Sequence, residues 1–253
     1  MRRWIRITVA LLVALYFADG RGEGASPSTD DKAKPKPLAA GSTLPSYEKR
    51  ELEGWTIYVH RDFERGGEAD QKLRERTLAL LRVKLYDIAR VVPDKPLAEL
   101  RKIPIWVERK SPRFPCMCYH VSPEWLGDHG FDPAKAGAVE LANPETFLTW
   151  TQAQPSMVLH ELAHGYHDRV LKHGHRELRA CFDRAAAAKT YEKVLHYDGR
   201  TVRHYALNND QEFFAEATEA FFGTNDFFPF VRPELAAHDP DAFRLLQKIW
   251  EGK

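Results

Sequence analysis

Cysteine is scarce in this 253-residue chain: only Cys116, Cys118 and Cys181 occur, too few for a disulfide framework. One bridge, from Cys181 to Cys116 or Cys118, is compatible with an oxidising compartment. The triplet Cys116-Met117-Cys118 lacks the two-residue spacer and second pair of a zinc knuckle. A bias of charge is missing too. With 37 basic and 36 acidic residues the formal net charge is +1, so there is no electrostatic ground for expecting nucleic acid or an anionic membrane surface as partner. No apolar run reaches the ~20 residues of a spanning helix, and no stable membrane association is expected. Internal repeats are also absent, which excludes a solenoid.

What is present at the N-terminus reads as an export signal. Arg2, Arg3 and Arg6 precede an uncharged run over 7–18, and Ala18, Gly20 and Ala25 supply small residues near a cleavage point. Residues 1–25 are therefore expected to be a signal peptide, which places the protein outside the cytoplasm, secreted or periplasmic. Residues 26–46 are rich in Pro, Ser, Lys and Ala and hold almost nothing apolar to bury, as in a disordered linker. That leaves 47–253 for one folded domain with a single core.

Inside that domain, 55–60 (Trp-Thr-Ile-Tyr-Val-His) is β-branched and aromatic and predicts a strand. Leu73, Leu78, Leu81, Leu85 and Ile88 recur at helical spacing over 70–92, and Pro93 stops the helix. Residues 103–108 and 137–143 read as strands, the first with an edge position or irregular start at Pro104. Helices are expected over 154–170, from 176 onward, from Asn209 or Asp210 to Phe222, and over 241–250. Asp198-Gly199 marks a hairpin between them. Strands early and helices late make an α+β fold, a small twisted sheet packed on helices.

The chemistry begins at His160-Glu161-Leu162-Ala163-His164. Histidines four apart lie one helical turn apart on one face and can share a tetrahedral ion. Glu161, about 100° further round, can reach a water on that ion without ligating it. This is the division of labour of a zinc peptidase: two His ligands and a carboxylate base. His167 lies on the same face but about 10 Å from His160 along the axis at ~1.5 Å per residue, too far to share the ion. It is expected beside the site or exposed. A third ligand from a Gly/His extension of the motif is excluded, because those positions hold His167 and Val170. A glutamate on a second helix is the alternative. Glu212, Glu216 and Glu219 form a stripe on 209–223, with no Lys or Arg there to balance them.

The run Tyr205-Ala-Leu-Asn-Asn-Asp-Gln-Glu212-Phe-Phe-Ala-Glu216-Ala resembles the catalytic domain of anthrax lethal factor, and Ala220-Phe-Phe-Gly-Thr-Asn-Asp-Phe-Phe-Pro-Phe resembles exported bacterial relatives of that toxin. The resemblance spans the His helix, the Tyr segment and the Glu helix, and does not extend to the first hundred residues. It implies a zincin-like fold of the gluzincin type with one Zn2+, held by His160, His164 and Glu212. Glu161 would be the general base of a zinc-activated water, Tyr205 an oxyanion donor, and Glu216 the carboxylate supporting a ligand histidine. It also implies a metalloendopeptidase acting on a protein or peptide. Peptidases of this kind hold substrate on an edge strand beside the metal helix, for which 139–143 is the candidate, with Phe147 and Trp150 as candidate cleft residues. The competing reading is a catalytically inactive zincin-like domain that binds a peptide or cell-envelope partner.

Overall fold

The computed structural model describes residues 46–253 apart from 112. The expected signal peptide (1–25) and the linker up to residue 45 lie outside the described residues. Strand β1 (Tyr47–Leu52) turns directly into β2 (Trp55–His60), with Leu52 paired to Trp55. The two loop residues, Glu53 and Gly54, both have positive φ (51° and 89°), the backbone a right-twisting two-residue hairpin requires. Helices α1 (Asp62–Arg65), α2 (Gly67–Val91) and α3 (Asp94–Leu100) then carry the chain across to β3 (Ile105–Val107), parallel to β2. Strand β4 (Met117–His120), helix α4 (Pro123–Asp128) and strand β5 (Ala138–Leu141) follow, β5 being parallel to β3 and β4 antiparallel to β5. The sheet order is β1-β2-β3-β5-β4.

The rest is mostly helical: α5 (Pro144–Trp150), α6 (Met157–Tyr166), α7 (Arg176–Ala187), a two-stranded hairpin of β6 (Val194–Leu195) and β7 (Thr201–Val202), then α8 (Asp210–Phe222), α9 (Arg232–His238) and α10 (Pro240–Leu246). This is the expected α+β arrangement of a small sheet packed on helices, and all described residues fall in one compact unit. Leu78, Leu81, Leu85 and Ile88 of α2 are buried, each worth about 1.5–3 kcal/mol if fully withdrawn from water. Among the described residues no helix is long and apolar enough to cross a membrane.

Several expectations need correcting. The strand at 137–143 is interior, flanked by β3 and β5's other neighbour β4, and all four residues of β5 are buried. The edge beside α6 belongs to β4. Pro104 marks the start of β3, which is not an edge strand. Phe147 is fully buried and Trp150 packs against the core, so both are packing residues. No disulfide forms; all three cysteines are free thiols. Cys116 Sγ lies 3.3 Å from Met157 Sδ and Cys118 Sγ 3.6 Å from His120 Nε2, so neither is turned towards Cys181 on α7.

Candidate metal centre

Helix α6 carries the two histidines against α8. Asn209 caps α8 by accepting the Glu212 N–H at 2.8 Å, which starts the helix where Glu212 lies in its first turn. Phe213, Phe214 and Phe221 bury α8 on all sides, and they take Glu212, Glu216 and Glu219 into the interior with them. Carboxylates so buried need partners.

Glu212 and Glu219 find theirs in the imidazoles of α6. His160 Nε2 and His164 Nε2 are 3.1 Å apart, and Glu212 Oε2 lies 3.2 Å from the first and 3.3 Å from the second. Around a tetrahedral zinc, N and O ligands at ~2.0–2.1 Å stand about 3.3–3.4 Å from one another. The three atoms thus form one face of such a tetrahedron and leave its fourth corner open, so the residues fit the ion. The electrostatics agree. Burial alone would lower the His160 pKa, but hydrogen bonding to Glu212 and Glu219 outweighs it and holds the imidazole well above its ordinary value. Burial would raise Glu212, but the neighbouring His164 and His160 hold it below the usual carboxylate range. The centre is built to keep positive charge among anions.

Glu161 stands outside the triangle. Its Oε2 accepts the backbone N–H of Tyr119 in β4 at 2.8 Å, so the carboxylate is tied to the sheet edge. Tyr119 in turn donates its hydroxyl to Asp168 Oδ2 at 2.7 Å, just past the end of α6. Helix and strand come this close because residue 165 is glycine: a Cβ there would lie 2.5 Å from Ile103 Cδ1 and 2.9 Å from Tyr119 Cε2. Tyr205 sits in a single 3-10 turn, Tyr205–Leu207, ahead of α8. Burial, and then the charges of Glu212, Glu216 and Glu161, push its phenol well above the ordinary value, so it is a hydrogen-bond donor at neutral pH.

Glu216 does not take the place expected for it. The carboxylate on His160 Nδ1 is Glu219, whose Oε1 lies at 2.7 Å, while Glu216 Oε1 is 3.7 Å away. Glu216 Oε2 instead accepts from Asn225 Nδ2 at 2.8 Å. Burial raises both acids, Glu219 to about 7 and Glu216 well above its ordinary value, and the charge of Glu219 adds to the rise at Glu216. His167 is neither exposed nor bonded to a ligand residue. It is buried, its Nε2 has no hydrogen-bond partner, and burial lowers its pKa to about 4. The glutamate stripe was the sequence signal for Glu219; for the Tyr119 N–H, a backbone group on an unexpected strand, there was none.

No protein-family model and no curated protein matches the chain. Among solved structures, the Pro-Pro endopeptidase PPEP-2 of Paenibacillus alvei is similar with a TM-score of 0.41 at 19% identity, covering 70% of this chain and 90% of that one.

Proposed function

We propose that the chain is an exported zinc-dependent metallopeptidase that hydrolyses peptide bonds, with one zinc held by His160, His164 and Glu212. The observation that supports it is the convergence of two imidazole nitrogens and one carboxylate oxygen, 3.1–3.3 Å apart, next to a glutamate that is not one of them. When bound, zinc supplies Lewis acidity to a water and to the substrate carbonyl. The chain's own groups do the rest. Glu161 takes the water's proton on the oxygen that Tyr119 does not hold, and passes it to the leaving amine. Tyr205, protonated at neutral pH, donates to the developing oxyanion. Glu219 accepts the Nδ1–H of His160, which fixes the tautomer and turns the Nε2 lone pair to the ion.

The lethal factor-like character of 205–216 belongs to the same proposal, as do a protein or peptide substrate and export by residues 1–25. The test is metal analysis with a peptide-library digest of the wild type and Glu161→Gln. The variant is expected to bind zinc as the wild type does and to lose turnover. A Glu161→Gln protein that cleaves as fast as wild type would overturn the mechanism. Zinc-loaded wild type that cleaves nothing would favour the binding-domain reading.

A further inference from the structure

A second set of metal donors stands on the back of the edge strand. Side chains alternate along β4 and β5, so Cys118, His120 and Glu140 face away from the α6 side on which Tyr119 packs. Their donor atoms all lie within 4.8 Å of one another. His120 and Glu140 are 5% and 2% exposed, and Cys118 is half-buried at the open edge of the sheet. We propose that Cys118 Sγ, His120 Nε2 and Glu140 Oε2 form a second cation site, for a thiophilic divalent ion such as zinc. The site does not depend on the peptidase reading.

Three observations carry it. Sγ and Nε2 are 3.6 Å apart, and a tetrahedral zinc with Zn–S ~2.3 Å and Zn–N ~2.05 Å needs about 3.6 Å between them. Glu140 is already oriented, because Lys135 Nζ bonds its Oε1 at 2.7 Å and leaves Oε2 facing His120. The charges call for a dication. Lys135 also bonds Glu108 at 2.8 Å, so one ammonium serves two carboxylates. With Cys118 as thiolate the cluster carries two excess negative charges, which a divalent ion cancels.

His120 Nε2 and Glu140 Oε2 now stand 2.6 Å apart, a hydrogen-bond distance with a proton between them. Binding takes that proton off Nε2, onto Nδ1 of the same ring or into solvent, and releases the thiol proton, and the pair opens by about 0.7 Å to reach ligand spacing. Burial pushes the Cys118 thiol well above its ordinary value, so the cation is what makes the thiolate the dominant form. Since Cys118 precedes Tyr119, the ion would fix the strand that holds Glu161.

The experiment uses the whole chain carrying His164→Ala, which removes a donor from the first centre, loaded with Co2+. A thiolate-to-cobalt charge-transfer band is expected in the near ultraviolet, and adding Cys118→Ser should abolish it. No band in the His164→Ala chain overturns the proposal, and so does a band that survives Cys118→Ser. In the unsubstituted chain, two equivalents of zinc should slow iodoacetamide labelling of Cys118 roughly tenfold relative to the metal-free chain, read by peptide mass spectrometry. Equal labelling with and without that zinc overturns it without recourse to a variant. A first centre that binds no metal would leave both readouts unchanged, so the two proposals fail separately.

Discussion

Glu216 and Glu219 are both fully interior acids on one helix, yet only Glu219 touches His160. Relative to Glu212 they stand about 40° to one side and 20° to the other at ~100° per residue, so helical geometry alone does not choose between them. The antiparallel pairing of α6 and α8 does, by setting His164 against Glu212 and His160 against Glu219. Glu219→Gln is accordingly expected to weaken zinc affinity ~10–100-fold, with a smaller loss for Glu216→Gln, measured by competition with a chelator. A larger loss for Glu216→Gln would reverse the assignment. If the chain is the proposed peptidase, Tyr205→Phe should lower kcat about 10²–10³-fold with KM little changed; steady-state kinetics on any cleaved peptide decides it. His160 and His164 were legible in the sequence because helical spacing speaks of local geometry; the unbalanced acidic stripe pointed to α8, and Glu212 within it was singled out by the resemblance to lethal factor. The role of Glu219 was not, since it is a property of two helices together.

At the scale of elements, the packing of α6 on β4 turns on residue 165. Gly165→Ala would put a methyl 2.5 Å from Ile103 Cδ1, and overpacking of this kind costs ~1–3 kcal/mol. Urea unfolding should show that loss, and the Glu161 contact with Tyr119 should loosen with it, so the proposed peptidase activity should fall along with stability. An unchanged unfolding midpoint would show that the neighbours can yield. The long helix α2 and strand β2 could be read from the sequence because their apolar residues recur at periods of 3.6 and 2. Strand β4 could not. Met117-Cys118-Tyr119-His120 is four residues long, mixes polar and apolar side chains on both faces, and follows a stretch broken by Pro112 and Pro115. Its pairing with β5 is what makes it a strand, and it displaced β5 from the edge that sequence reasoning had given it.

The whole molecule keeps a neutral histidine deep inside it. His204 is buried against Phe227 and Tyr191, and burial depresses its pKa to about 3. The unfolded chain takes a proton there near pH 6.5, whereas the folded chain stays neutral down to about 3. The unfolded state therefore binds more protons, and stability falls as pH drops through that window. His204→Asn keeps an acceptor for the Ala206 N–H that His204 Nδ1 now receives, and should make the decline shallower by at most about 1.4 kcal/mol per pH unit. Denaturant titrations at several pH values check this; equal slopes for both proteins would refute it. The tie between Tyr119 and Glu161 also has a consequence for any extended chain laid along β4. Ladder hydrogen bonding on that rim offers donors only at alternate residues, and the one at Tyr119 is spent on the carboxylate. A visiting strand would therefore meet a missing rung there. The carbonyl that belongs on that rung is left unclaimed by the sheet, at the point of the rim held closest to Glu161.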